Sequence, residues 1–226
     1  MPSGNLPKKR LAILDAAREL FLAQGYSGTS MDQVAAAAAV SKQTVYKHFA
    51  DKESLFVAVI LETVGGIVEP FRAEIEALAT TDDLAADLRN LARQYIASVI
   101  QPRVLDLRRL VIAEAARLPG LARTYYDGAP GRTIAALAAA FKRLDDRSLI
   151  AAPDPDLAAS HFAFLVLGQA LDRALFCGCD APPRAELEGL ADAGAAAFLA
   201  AYAACLHSSV HGPDQAPQGR PAGPRG

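Results

Sequence analysis

Residues 29–53, TSMDQVAAAAAVSKQTVYKHFADKE, decide the fold. Thr29-Ser30-Met31-Asp32 has the S/T-x-x-D pattern of a capped start and opens a helix that runs to about Ala38. Val40-Ser41 restarts the chain, because a serine side chain accepts the unpaired N–H groups of a new helix, predicted over 41–48. Two short helices joined by the turn Ala39-Val40-Ser41 have the dimensions of a helix-turn-helix. In such a unit the second helix enters the major groove by its amino-terminal part, and the first braces across the DNA backbone. Val45 and Phe49, spaced i, i+4, face inward with Val40, which leaves Lys42, Gln43, Thr44, Tyr46, Lys47 and His48 for solvent or DNA. Gln43 offers an amide that bonds adenine bidentately, and Lys42 or Lys47 reaches guanine or phosphate. Thr44, Tyr46 and His48 are phosphate donors.

Upstream, Ile13, Ala17, Leu20 and Phe21 mark one face of an amphipathic helix that ends at Gly25. Downstream, a fourth helix starts near Asp51-Lys52-Glu53 and carries Leu55 and Val59, with a bend expected at Gly65-Gly66 or Pro70. Longer, alanine-rich helices follow at about 82–100, 103–117, 119–146, 155–177 and 183–206, the third with a break available at Gly128-Ala129-Pro130-Gly131. Pro102, Pro155 and Pro183 stand near helix starts, where the missing N–H costs nothing. The organisation predicted is a flexible arm (1–7), a helix-turn-helix domain (8–55), a regulatory and dimerisation domain (56–207) and a disordered tail (208–226). In that tail, 212–226 hold four Pro and four Gly.

Composition agrees with an all-α fold. Among 226 residues there are 48 Ala against 28 Leu, while Val, Ile and Thr together number 28, which makes a sheet-based enzyme core unlikely. The net charge of −2 divides unevenly: residues 1–53 carry +2 and the remainder −4, so a local basic surface survives in an acidic chain. Lys8, Lys9 and Arg10 add basic groups ahead of the first helix face. The basic start lacks the apolar stretch of a signal peptide, and the longest charge-free apolar run, Leu157–Leu171, falls short of the roughly 20 residues of a spanning helix. Three cysteines do not form a disulfide framework, so a cytoplasmic protein without a membrane partner is expected.

The run from Ile13 to Leu55 resembles the DNA-binding domain of the TetR (tetracycline-repressor-like) family of transcriptional regulators. The resemblance rests on Ala16-Ala17, Phe21, Gly25-Tyr26, Thr29-Ser30-Met31, Val34-Ala35, Val40-Ser41-Lys42, Tyr46-x-His48-Phe49 and Lys52-Glu53-x-Leu55. It implies an all-α homodimer, a palindromic operator and a carboxy-terminal domain whose small-molecule effector changes DNA affinity. Thr29, Tyr46, His48 and Lys52 would then bond phosphate, with Lys42, Gln43 and Lys47 facing the groove. Where the family usually has glycine before Val40, this chain has Ala39, at a cost of about 1–2 kcal/mol if the left-handed backbone is kept. Gln43 replaces a common small residue. The stretch RVLDLRRLVIAEAARLPGLARTYYDGAPGR (103–132) resembles the regulatory domain of the AefR-like branch and names no ligand.

The last two helices are apolar nearly all round, and burying both sides calls for a second subunit. A four-helix dimer interface is therefore expected through Phe162, Val166, Gln169, Arg173, Phe198 and Tyr202, with Ala and Gly194 allowing close approach. An apolar effector pocket lined by Tyr95, Arg109, Tyr125, Tyr126, His161 and Phe164 is the companion expectation. Cys177-x-Cys179 with Cys205 and His207 lacks the ligand spacing of common zinc sites, and buried cysteine in a helical core is the simpler reading. Neither metal nor cofactor is expected. No nucleophile elbow, P-loop, H-E-x-x-H or dinucleotide turn is present, which argues against an enzyme. The competing reading is a ligand-binding or protein-interaction dimer whose helix-turn-helix no longer functions.

Overall fold

The computed structural model describes residues 5–177 and 182–203. Among them the chain is helical throughout: α1 (Asn5–Gly28), α2 (Met31–Ala37), α3 (Lys42–His48), α4 (Lys52–Ala77), α5 (Leu84–Val99), α6 (Pro102–Glu114), α7 (Pro119–Gly128), α8 (Pro130–Asp146), α9 (Pro155–Cys177) and α10 (Arg184–Tyr202). The expected arm is shorter on its folded side, since α1 already includes residues 5–7; Pro7 lies in the first turn, where its missing N–H is no loss. The expected tail and Cys179, Cys205 and His207 lie outside the described residues, and Cys177 is exposed at the end of α9.

Local signals set most helix ends. Helical dihedrals break at Gly25 (φ 72°). The cap of α2 is Ser30, one residue later than the sequence pattern suggests: its hydroxyl accepts from the Gln33 N–H, and Gln33 Oε1 accepts from the Ser30 N–H at 2.7 Å. Asp51 caps α4 by the same reciprocal pair of bonds with Ser54, and Ser41 caps α3 by accepting the Thr44 N–H alone. The anticipated break between α7 and α8 falls at Ala129, with Pro130 at the first position of α8.

The bend expected at Gly65-Gly66 or Pro70 does not interrupt α4, which is one 26-residue helix. Two glycines cost about 1 kcal/mol each in helix propensity. They are outweighed by a buried stripe, Phe56, Val59, Ile60, Val64, Val68 and Phe71, which would be lost if the helix ended. With the turn that follows it (Lys52–Thr80), α4 contains an 18-residue window of mean hydropathy 1.7, long and apolar enough to cross a membrane by length and composition, and here it serves as the shared wall of two cores.

The first core joins α1–α3 and the first two-thirds of α4 to Leu107, Val111, Leu121 and Tyr125 of α6 and α7. The second joins the end of α4 to α5, α8, α9 and α10 around Phe141, Phe162 and Phe198, whose ring centroids lie 4.8–5.6 Å apart. The sequence boundary at 55/56 thus falls inside a helix, and the helix-turn-helix head shares its core with part of the regulatory body.

Candidate nucleic-acid interface and effector cavity

The recognition helix α3 is held from one side only. Val45 and Phe49 are buried while Lys42, Gln43, Tyr46 and Lys47 are exposed, Tyr46 at 45%. The turn before it works because Ala39 adopts φ 51°, the left-handed conformation usually given to glycine. Thr44 is half-buried, its hydroxyl 2.8 Å from Ser41 Oγ, and His48 is half-buried beside Phe49. Lys42 pairs with Asp32 at 2.8 Å, which braces α3 against α2 and raises the lysine pKa through that hydrogen bond. Lys8, Lys9 and Arg10 are exposed on α1, and the Arg10 guanidinium lies 5.5 Å from the Phe49 ring centroid.

Two residues expected to bond phosphate are occupied otherwise. Thr29 is 2% exposed and its hydroxyl donates to the Gly25 carbonyl at 2.9 Å, closing the end of α1. Lys52 donates to the carbonyls of Tyr26 and Thr29, both at 2.9 Å, and its ammonium sits 4.5 Å from the Tyr26 ring centroid. Carbonyls at a helix end attract a cation, so Lys52 stitches α4 to α1. Arg117, paired with Glu114 at 3.0 Å, approaches the same ring to 5.3 Å. Burial first, and then Glu53, raise the Tyr26 phenol above its ordinary pKa, so it stays neutral beside the two cations.

The regulatory body contains an apolar hollow made of two adjoining pockets with shared walls. An outer cleft of about 410 Å³, open to solvent, runs between α6, α7 and α9, and a much smaller inner chamber of about 50 Å³ reaches α4 and α5. Tyr95, Arg108, Tyr125 and Pro130 line both. Tyr95 stacks on Phe71 at 4.9 Å, and burial pushes its phenol up to about 12, so it remains a hydrogen-bond donor. Arg108 Nε donates to the Tyr125 hydroxyl at 3.1 Å.

Of the expected effector contacts, Tyr95, Tyr125, Tyr126 and Phe164 line the hollow. Arg109 and His161 do not. Arg109 points to the carbonyls of Ala174 and Leu175 at the end of α9 and pairs with Asp106, and His161 Nδ1 lies 2.7 Å from the Tyr202 hydroxyl on the exposed side of α9. Arg108 and Thr63 went unpredicted. Both had a signal: Arg108 repeats at i+3 from Leu105, and Thr63 at i+4 from Val59, each on its helix's buried stripe.

The expected subunit contacts divide likewise. Phe162, Val166 and Phe198 are 0–2% exposed inside the protomer, because α9 packs directly on α10. A Cβ on Gly194 would meet the Leu165 carbonyl oxygen at 2.7 Å, so the close approach foreseen between subunits occurs within one. Gln169 and Arg173 are exposed, Arg173 paired with Glu186, and Tyr202 is half-buried. The outward face of α9 instead carries Leu157, Phe164, Leu165 and Phe176, the last 87% exposed, and α10 turns out Ala193, Ala196, Ala197, Ala200 and Ala201.

An exposed recognition helix on a small head, fused to a helical body with a deep hollow, defines a helix-turn-helix regulator. Residues 13–59 match the family described as bacterial regulatory proteins, tetR family, and residues 86–204 match the AefR-like transcriptional repressor, C-terminal domain. A TetR-family transcriptional regulator from Mesorhizobium loti superposes with a TM-score of 0.83 and 41% identity, covering 88% of this chain and 98% of that one. The flavonoid-responsive regulator FrrA is 34% identical, covering 87% of this chain and 98% of its own, with a TM-score of 0.68. The HTH-type transcriptional activator FasR of Mycolicibacterium smegmatis is 40% identical over 89 residues, 38% of this chain, which spans only 39% of that relative's length. The chain belongs to the TetR family of DNA-binding transcriptional regulators, whose members are regulators rather than enzymes.

Proposed function

We propose that this protein is an effector-responsive transcriptional repressor of the cytoplasm, binding a palindromic operator as a homodimer and released by a small, largely apolar, aromatic molecule. The observation that carries the reading is α4, a single helix whose start is stitched to the DNA-binding head by Lys52 and whose middle, from Thr63 to Phe71, walls the inner chamber. A molecule entering that chamber acts on the same rigid element that sets the pose of α3. In the dimer the two recognition helices must meet successive major grooves about 34–36 Å apart, so a small rotation of α4 weakens binding. Effector and operator then oppose one another by the same coupling free energy.

Gln43, Tyr46 and Lys47 are the groups offered to DNA, with Lys42 and the basic start of α1 beside them. Their exposure favours a working reader over a degenerate one. The apolar outward faces of α9 and α10 supply the subunit contact, with Gln169 and Arg173 at its edge. The flavonoid response named for FrrA supports a planar aromatic effector, and the AefR-like repressor match supports repression.

The test is operator binding by Tyr46→Ala/Lys47→Ala, followed by fluorescence anisotropy at physiological salt. We expect at least about a tenfold loss, with a salt dependence shallower by about one unit per subunit for the missing lysine. Unchanged affinity in a folded dimer would overturn the docking.

A further inference from the structure

Arg108 is the feature of the hollow that apolar packing does not explain. It is half-buried and, among the described residues, makes no ion pair; its Nε donates to the Tyr125 hydroxyl, leaving the two Nη groups without an acceptor. A half-buried guanidinium that lines an apolar hollow with its Nη groups unpaired is available to an anion entering that hollow. Beside it in the inner chamber lies Thr63, 1% exposed, whose Oγ has no hydrogen-bond partner, an unusual state for a buried hydroxyl.

The remaining polar groups there are the hydroxyls of Tyr95, Ser98, Tyr125 and Thr133. Tyr125, having accepted from Arg108, has its own O–H to give, and the Tyr95 phenol stays protonated. No carboxylate lines the inner chamber among the described residues; the nearest in the hollow, Asp172, lines only the outer cleft. The chamber therefore offers one guanidinium and several hydroxyls with no carboxylate among the described residues, while the cleft leading to it is walled by Ile112, Tyr126, Ile134 and Phe164.

We infer that the inner chamber is an oxyanion subsite, in which Arg108, Thr63 and Tyr125 hold the acid oxygen of an aromatic effector whose ring lies toward the outer cleft. This rests on the effector reading of the hollow and adds the chemistry of the ligand: an aromatic acid, either a carboxylate or an ionised phenol. Charge-assisted bonds from a guanidinium fix the orientation, and the aromatic walls supply most of the buried area. Because Thr63 belongs to α4, the same oxygen would tie the ligand to the helix that reaches the DNA-binding head.

The experiment is calorimetric binding to the full-length protein of two acids, each with a neutral partner of similar shape: cinnamate with cinnamamide, and para-nitrophenolate with para-nitroanisole, at a pH where the phenol is ionised. At least one acid should bind about tenfold or more tighter than its partner, and which one does so separates carboxylate from phenolate. Arg108→Gln should bring that ratio to about twofold or less, Arg108→Lys should keep part of it, and Thr63→Val should weaken the acid severalfold while sparing the neutral compound. Equal binding of acid and neutral partner, no binding of either acid, or an Arg108→Gln protein that retains the preference would overturn the subsite. Operator anisotropy with the same compounds is read separately. An acid that binds through Arg108 without moving operator affinity sustains the subsite and removes the effector reading instead.

Discussion

Ala39 occupies a backbone conformation that L-residues avoid, and the helix-turn-helix is built on it. With φ 51° it brings the end of α2 into the start of α3, and nothing else in the turn substitutes for a glycine. Relief of the left-handed strain, less the greater unfolded-chain freedom of glycine, predicts that Ala39→Gly stabilises the protein by a few tenths to about 1 kcal/mol. A higher midpoint in urea unfolding would show it. Asp51 carries the other residue-scale prediction. Its carboxylate accepts the Ser54 N–H at 2.7 Å and faces the Ser54 hydroxyl, which lowers its pKa below the usual carboxylate range. The folded form thus binds a proton less readily than the unfolded chain, so this stabilisation is complete above about pH 4 and is lost as pH falls through the lower, folded value. Melting of the wild type should accordingly decline more steeply in that acidic window than melting of Asp51→Asn.

Among the elements, α4 and the α9–α10 pair depart most from expectation, and for one reason. Glycine and proline weaken a helix by local terms of order 1–3 kcal/mol, whereas a stripe of buried apolar side chains offers several times as much. Pro70 and Gly65-Gly66 therefore do not end the helix once both cores claim the residues around them. In α10 the small residues split between two tasks: Gly194, Ala191 and Ala195 admit α9, while Ala193, Ala196, Ala197, Ala200 and Ala201 face outward. Gly194→Ala would drive a methyl into the Leu165 carbonyl and should cost about 1–3 kcal/mol, measured by chemical unfolding. An unchanged midpoint would mean that the helices separate freely there.

For the whole molecule, the head and the body are fastened at three points: Lys52 on the end of α1, Arg117 on Tyr26, and Arg18 of α1 to Glu62 of α4 at 3.5 Å. All three ties touch α1, which carries the head, and two of them run to α4, which also walls the inner chamber. If the outward faces of α9 and α10 join two copies, Leu165→Glu/Ala197→Glu places charges at the seam. The variant should then run as a monomer in light scattering, with operator affinity lowered by about a hundredfold or more as bivalent binding is lost. A persistent dimer would move the subunit contact elsewhere.

The sequence by itself determined the helical class, the caps Ser41 and Asp51, the place of the turn at Ala39 and the exposure of Lys42, Gln43, Tyr46 and Lys47, because each depends on spacing within a few residues. It also disclosed that the body must hide apolar surface beyond what a lone helix pair covers. Which residues hide it was decided only by the tertiary structure. Phe162, Val166 and Phe198 have the same local signature whether they pack within one subunit or between two, and the fold put them inside. Lys52 and Thr29 look like phosphate ligands in the chain and become stitches only when α1 ends beside α4. Arg109 and Arg108 are neighbours one peptide apart, yet a turn of about 100° per residue sends one to the end of α9 and the other into the chamber. Periodicity specifies a face, and what that face meets is a property of the packed molecule.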